Sequence, residues 1–326
     1  MGETESALRI KVGNRMGALT TKVVLQGGLG NQLFQYFAAA YLARLHDIAV
    51  ELDLSELERI DTSHGELITS FNLPEPFTIS HSLQNQRLTK IINQLRLLGR
   101  RWWLARFLHL KLNHEYVSSD VGFDGHLLSL KAGTSISGYF QSYIYFFEYI
   151  AMSKRPALTL KSNPAWIVPY ATRLATEKVL MLHIRRGDYV SEFERIGVLC
   201  HEYYQAAIHE VLKRVDLTSI WVFSDDVLSA RLTLSRIVGL TIPIQYIDPP
   251  MGANPSESLF LMSQGKNFVI ANSTFSWWAA MLSGTDSNVI VPKDWFRSGQ
   301  DPSVLPSPPR LHGYKSHPRP DAGTAG

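Results

Sequence analysis

Two adjacent arginines, Arg185 and Arg186, follow an apolar run and carry charge suited to binding an anion. The run Val179–Ile184 has the length and continuity expected of a buried parallel strand. Ligands of open α/β sheets bind beyond the carboxyl ends of the strands, so the arginines are predicted to stand at a binding edge. Because guanidinium groups bind phosphate oxygens in pairs, the arginines favour a diphosphate. The alternative is surface pairing with a carboxylate such as Asp188.

Two more polar groups follow predicted strands, one of carboxylates and one of hydroxyls: Asp225, Asp226, Ser273, Thr274 and Ser276. Hydroxyls and N–H groups at a helix start bind phosphate, and a carboxylate such as Asp226 accepts two N–H bonds from a guanine edge. The predicted edge has two arginines and no cluster of metal-binding carboxylates. This combination indicates that positive side chains, rather than Mg²⁺, offset the charge of the diphosphate. Helix capping and a DxD-like metal site are the alternatives for the aspartate pair.

A glycine loop containing Gly28 and Gly30 lies between a predicted strand, 21–26, and a strongly amphipathic helix. This order brings backbone N–H groups to a ligand at the helix start. It resembles a dinucleotide fingerprint, because Asp53 follows the next predicted strand. However, Leu33 occupies the third glycine position, where a dinucleotide site needs close packing. An NAD-dependent oxidoreductase therefore stays an alternative only.

Strands and helices alternate along the second half, with strands predicted at 179–184, 219–223, 242–247, 268–271 and 289–291. The alternation predicts an α/β fold with a parallel, doubly wound sheet. A turn-rich segment, 156–169, is the predicted linker. The resulting division is a disordered tail at 1–20, domains at 21–160 and 161–300, and a disordered, proline-rich tail at 301–326.

The composition, 45% apolar and 19% charged over 326 residues, predicts a soluble globular protein of about two domains. The single cysteine, Cys200, excludes a disulfide framework and a cysteine-based zinc site. No secretory signal or spanning run is visible, which predicts a cytoplasmic location. The net charge of +3 is too small to indicate a nucleic-acid partner.

Residues 87–112 combine seven Lys and Arg with no Asp or Glu, in an amphipathic helical pattern that contains tryptophan. Such a helix can lie peripherally on an anionic membrane surface. The alternative is a helix that packs its apolar stripe on its own domain and leaves its cations solvated.

Six motifs occur in order between residues 22 and 297: GGLGNQLFQ (27–35), GYFQS (138–142), HIRRGDY (183–189), FSDD (223–226), NSTFSWWA (272–279) and PKDWF (292–296). Together they resemble glycosyltransferase family 11, the α-1,2-fucosyltransferases. The resemblance implies two facing Rossmann-like domains of the GT-B type. It also implies inverting, metal-independent transfer of L-fucose from GDP-fucose to O2 of a terminal galactose on a glycan, without a permanently bound cofactor.

The same resemblance implies that the N-terminal domain is the acceptor side and that the C-terminal domain binds GDP-fucose. It makes Arg185 and Arg186 the diphosphate ligands and places residues 273–276 against the phosphates. His183 and Asp226 are the implied guanine or ribose contacts, and Asn31 contacts the fucose or the diphosphate across the cleft.

Inversion needs a base on the face opposite the departing GDP, and the candidates are Asp188, Glu192 and Glu194, just beyond the arginines. Plain surface charge is the alternative for each of them. Two other functions stay open: a fucosyltransferase with a different linkage, and a non-catalytic glycan-binding module that uses the aromatic residues of 139–146.

Overall fold

The computed structural model describes residues 20–59, 67–75, 77–81, 115–118, 121–153, 155–187, 196–284, 286–296 and 311–314. The three candidate bases, Asp188, Glu192 and Glu194, lie outside these ranges, as does the basic segment 87–112. Their roles therefore stay predictions from the sequence.

The described strands are β1 (Thr20–Val24), β2 (Ala49–Asp53), β3 (Phe71–Asn72), β4 (Thr78–Ser80), β5 (Glu115–Val117), β6 (Ser135–Ser137), β7 (Thr159–Leu160), β8 (Val179–Ile184), β9 (Ser219–Ser224), β10 (Ile244–Tyr246), β11 (Asn267–Val269), β12 (Asn288–Pro292) and β13 (Leu311–Tyr314). The described α-helices are α1 (Leu29–His46), α2 (Ser55–Arg59), α3 (Tyr143–Ala151), α4 (Val168–Leu174), α5 (His201–Leu212), α6 (Val227–Leu234), α7 (Pro255–Ser263) and α8 (Thr274–Leu282). Short 3-10 turns cover Ile68–Ser70, Gly125–Ser129 and Ala165–Ile167.

Contacts divide the chain into two compact units. The first contains Met1–Gly27, Asn31–Glu66 and Glu75–Arg155, and the second contains Gly28–Gly30, Leu67–Pro74 and Pro156–Gly326. The chain leaves the first unit after Arg155, where the predicted linker starts. Two short segments assigned by sequence to the N-terminal domain join the second unit. The segment Leu67–Pro74 joins it because β3 pairs antiparallel with β7 and buries Phe71.

The first unit contains a parallel sheet in the order β4-β2-β1-β6-β5 among its described strands. Helix α1 covers it with the apolar face that the sequence predicts, from Leu33 and Phe34 to Leu42, all buried. Leu45, near the helix end, is 40% exposed. None of the helices within the described ranges is both long and apolar enough to cross a bilayer.

The second unit contains the parallel sheet that the alternating pattern predicts, with the described strands in the order β10-β9-β8-β11-β12-β13. All six residues of β8 are buried, His183 together with the five apolar residues that predict a buried parallel strand. Helix α5 packs one face of the sheet through residues such as Tyr204 and Ile208. Strands β9, β8 and β11 are neighbours, so their carboxyl ends meet at one edge.

The C-terminal tail differs from its predicted disorder at one place, where Leu311–Tyr314 forms β13 and pairs in parallel with β12. The composition of the tail is misleading because its prolines flank this stretch and none lies inside it. The four backbone N–H groups are therefore available to a sheet edge, and a proline there would remove one.

Candidate functional site

The edge shared by β9, β8 and β11 brings together the polar groups that the sequence places after each strand. Ser224, at the end of β9, donates its hydroxyl to the carbonyl oxygen of Ile184, at the end of β8, over 2.7 Å. The arginines and the aspartates therefore start from adjacent backbone positions at one edge of the sheet.

Asp225 binds the turn that carries both arginines. Its Oδ2 lies 3.1 Å from NH1 of Arg185, and its Oδ1 accepts the backbone N–H of Arg186 over 2.9 Å. A methyl group at Gly187 would lie 2.2 Å from the same Oδ2, so only glycine fits there without a shift. The Arg185 side chain is 28% exposed, and its charge is therefore presented at the edge.

Arg186 points to different partners from those of its neighbour. Its NH1 donates to the carbonyl oxygen of Leu199 over 3.0 Å, and its NH2 donates to Oγ1 of Thr233 over 2.7 Å. Thr233 lies in α6 and is buried. The guanidinium of Arg186 thus connects the turn after β8 to α6, through Thr233, and to the segment before α5, through Leu199. Nothing in the sequence pattern distinguishes the two arginines.

Asp226 caps helix α6, which is one of the alternatives left open by the sequence. Its Oδ1 accepts the backbone N–H of Ser229 over 2.9 Å, and its Oδ2 accepts the hydroxyl of Ser229 over 2.6 Å. These bonds hold the pKa of the carboxyl below its usual value. Across the described part of the chain, His, Cys, Asp and Glu side chains form no group of three that could hold a metal ion.

The three hydroxyls at the start of α8 are placed differently. Ser273 is the N-cap residue, with extended backbone and no side-chain capping bond. Thr274 is half-buried. Ser276 is fully buried and donates to the carbonyl oxygens of Ala271 and Ser273, at 3.4 and 3.3 Å. The hydroxyl of Ser276 is thus used by the backbone of its own segment. The N–H groups in the first turn of a helix have no partner within the helix, and Ser273 and Thr274 are the hydroxyls nearest to them.

The glycine loop lies against the start of α8, within the second unit. A methyl group at Gly30 would lie 2.5 Å from the carbonyl carbon and Oγ1 of Thr274, and 2.7 Å from the backbone nitrogen of Phe275. Gly28 is half-buried in the same short segment. This close approach explains the glycine at position 30 and makes the loop part of the site around the α8 start.

His183 is buried at the end of β8, with its ring 5.6 Å from that of Phe275 between centroids. Its Nδ1 has no hydrogen-bond partner among the described residues. Burial, with a smaller effect from the charge of Arg185, lowers the pKa of His183 to about 3. The imidazole is therefore neutral at physiological pH.

This pKa predicts a pH dependence of stability. In the unfolded chain His183 gains a proton below about pH 6.5, whereas in the folded chain it does so only near pH 3. The unfolded state binds more protons in that window, so the free energy of unfolding falls as the pH falls. We expect His183→Gln to remove a slope approaching about 1.4 kcal/mol per pH unit.

Urea unfolding of the two proteins between pH 7 and pH 5 measures this difference. Met181→Leu, a change of similar volume in the same buried strand, is the control and should keep the wild-type slope. Equal slopes for wild type and His183→Gln would contradict a neutral, buried imidazole.

Asn272 has a supporting role that the sequence did not reveal. Its side-chain Nδ2 donates to the carbonyl oxygens of Ile196, Gly197 and Trp295, each over 3.2 Å. Asn272 directly precedes the predicted phosphate-binding hydroxyls, but its buried amide holds two loops beside β11. No local signal predicts these distant partners.

The first unit joins two of the sequence motifs around α1. Nε2 of Gln141 donates to Oδ1 of Asn31 over 2.9 Å. Nε2 of Gln35 donates to the carbonyl oxygen of Gly138 over 3.1 Å, and its Oε1 accepts the backbone N–H of Gln26 over 3.0 Å. Gln35 and Gln141 were not candidate site residues, although both lie in glycine-containing motifs that could have drawn attention to them.

The sequence model of a family described as Glycosyl transferase family 11 matches residues 20–301. The O-antigen biosynthesis glycosyltransferase WbnK of Escherichia coli is 32% identical over 310 residues, which cover 86% of this chain and 96% of that protein. An alpha-1,2-colitosyltransferase of Escherichia coli is 27% identical over 292 residues, which cover 87% and 95%.

A solved structure of an Arabidopsis thaliana FUT1 mutant in complex with GDP has a TM-score of 0.51 to this chain. The two share 14% identity, and the alignment covers 91% of this chain and 76% of that one. At this identity the likeness concerns the fold alone. It confirms the predicted α/β fold of the GT-B type.

Proposed function

The chain belongs to glycosyl transferase family 11, and we propose that it transfers L-fucose from GDP-fucose to O2 of a terminal galactose, forming an α-1,2 linkage. The observation that carries the proposal is the guanidinium of Arg185 at the common end of β8 and β9, on the strand next to β11, which leads into α8. A fixed positive side chain next to a helix N-terminus is an arrangement that binds a diphosphate.

The donor is assigned to the second unit. Arg185, Ser273, Thr274 and the Gly28–Gly30 segment are the proposed contacts of the diphosphate. Asp225 supports Arg185 by binding both its side chain and the following backbone N–H. Ser276 is left out because its hydroxyl is buried and already bonded.

The guanosine is assigned to His183 and Asp226, as the family resemblance implied. A neutral His183 can donate or accept one hydrogen bond at Nδ1, according to its tautomer. Asp226 accepts from Ser229 at both oxygens, and each carboxylate oxygen has a second lone pair for a further N–H donor. The acceptor is assigned to the first unit, where Asn31 and Gln141 are joined.

The proposed chemistry is a single displacement with inversion at the fucose anomeric carbon. The acceptor hydroxyl attacks from the face opposite GDP, and Asp188, Glu192 and Glu194 stay the candidate bases. Negative charge accumulates on the departing diphosphate, and Arg185 offsets it without first having to reorganise because Asp225 already holds its guanidinium.

The α-1,2 linkage is supported by the colitosyltransferase, because the name of that relative gives the same linkage. That relative also favours a second candidate function, the transfer of colitose from its GDP-linked form. The two candidates share the proposed diphosphate site and differ in the sugar.

The test is incubation with GDP-fucose or GDP-colitose and a panel of galactose-terminated oligosaccharides, followed by NMR linkage analysis. We expect a fucosylated product linked at O2 and one GDP released for each sugar transferred. The matched acceptor control is the 2-deoxygalactoside, which should give no product. Linkage to another hydroxyl would overturn the α-1,2 assignment, and absence of transfer from either donor would overturn the proposed function.

A further inference from the structure

The two arginines of the turn lie beside one another in sequence but make contacts of different kinds. Arg185 meets a carboxylate at the sheet edge and is 28% exposed. Arg186 meets neutral groups, a backbone carbonyl and a threonine hydroxyl, that belong to the interior of the second unit. A guanidinium whose two terminal nitrogens are both bonded to the protein in this way has little freedom to turn towards a ligand.

On the basis of the proposed function, we propose that Arg186 is a positioning residue that fixes Arg185 at the diphosphate, and is not a second diphosphate ligand. The role expected from the sequence is thereby divided between the two side chains. Arg185 offers charge to the ligand, and Arg186 holds the backbone from which Arg185 extends.

The geometry gives three anchors for that backbone. The carbonyl of Ile184 accepts from Ser224, and the N–H of Arg186 donates to Asp225. The side chain of Arg186 then ties the same turn to Leu199 and to Thr233. All the partners belong to the second unit. The backbone is therefore held at Ile184, before Arg185, and at Arg186, after it.

Thr233 completes the arrangement because its hydroxyl has two bonds. It accepts from NH2 of Arg186 and donates to the carbonyl oxygen of Ser229, over 2.8 Å. Ser229 in turn donates to Asp226. The chain of contacts from Arg186 thus reaches Asp226, the cap of α6, which directly follows the Asp225 that binds Arg185.

The experiment compares the affinities of the protein for GDP and for GMP. This comparison distinguishes a side chain that contacts the β-phosphate from one that only positions another residue. A side chain that touches the β-phosphate should contribute to the preference for GDP over GMP, whereas a side chain that acts through the backbone should alter turnover more than this preference. Calorimetric dissociation constants for both nucleotides, and kcat and KM for transfer from GDP-fucose, are measured at a temperature well below each unfolding midpoint.

We expect Arg185→Gln to reduce the GDP-over-GMP preference about tenfold or more, the scale of a lost charge-assisted bond. Arg186→Gln should reduce that preference by clearly less than Arg185→Gln does, while kcat falls about tenfold or more, because small misplacements of a catalytic group are costly. Thr233→Val should lower kcat in the same direction without removing any charge, and Thr233→Ser should restore it.

Thr172→Val is the matched control, because Thr172 makes the same hydroxyl bond one helical turn back, to Val168, in α4 and meets no arginine there. It should leave kcat unchanged. The inference is overturned if Arg186→Gln reduces the GDP-over-GMP preference as much as Arg185→Gln, or if Thr233→Val turns over like wild type. A wild-type protein with no preference for GDP overturns the proposed function itself, which separates the two failures.

Discussion

Replacement of Arg185 by alanine is expected to lower the turnover number for fucosyl transfer by about 10²-fold or more. The guanidinium stands at the common end of β8 and β9 and is held there by Asp225. Without it, the negative charge that develops on the departing diphosphate loses a preorganised partner. A steady-state assay of GDP release, made with saturating acceptor, measures the change.

Arg214→Ala is the control for this prediction. Arg214 is also ion-paired, with Glu210 over 2.7 Å, but Glu210 lies near the C-terminal end of α5 and Arg214 lies just beyond that end. Its removal should leave turnover within about twofold of wild type because an exposed pair of this kind contributes little to stability. Near wild-type turnover of Arg185→Ala would refute the assignment of the diphosphate to this edge.

Replacement of Gly30 by alanine is the second change with a large expected effect. The added methyl group would meet backbone atoms of Thr274 and Phe275 at 2.5 and 2.7 Å, so the loop and the start of α8 must separate. Overpacking of this kind destabilises by about 1–3 kcal/mol. A displacement of about 1 Å at a binding surface can cost about 10²-fold in kcat/KM. Thermal unfolding and the donor dependence of transfer measure the two effects.

Gly125→Ala is the matched glycine control. A methyl group there would meet only a ring carbon of Phe123, at an ordinary 3.8 Å. It should leave both the unfolding midpoint and kcat/KM close to wild type. If Gly30→Ala behaved like Gly125→Ala, the close packing of the glycine loop on α8 would be wrong.

The parallel sheet of the second unit could be predicted because its signal is local. Five of the six residues of β8 are apolar, and all six, His183 included, are buried. The polar residues after β8 and β9 follow their strands directly in sequence, and those after β11 follow within three or four residues. Once the strands are parallel neighbours, these residues must meet at one edge, and no further information is needed.

The partners of individual side chains could not be predicted, because each depends on a contact between distant residues. Arg185 and Arg186 are the same residue type, yet one binds Asp225 and the other binds Leu199 and Thr233. Ser276 fits a phosphate-binding pattern but its hydroxyl returns to the carbonyl of Ser273. Such choices follow from side-chain direction in the folded chain rather than from spacing.

Two other differences have simple physical reasons. The aspartate after Asp225 serves as a helix cap because Ser229 stands three residues later, where capping places its N–H. Strand β13 was missed because a proline-rich composition hides a short stretch that has every N–H it needs for pairing. For Asp226 the local pattern allowed capping as one alternative, whereas for residues 311–314 the prediction of disorder was wrong.

The central claim is that the carboxyl edge of β8 and β9 receives the diphosphate of GDP through Arg185. The most direct measurement is a crystal structure of the protein with GDP bound. The account predicts a phosphate oxygen at about 3 Å from the guanidinium of Arg185, with Arg186 still bonded to Leu199 and Thr233. GDP bound elsewhere, with Arg185 facing only Asp225, would contradict it.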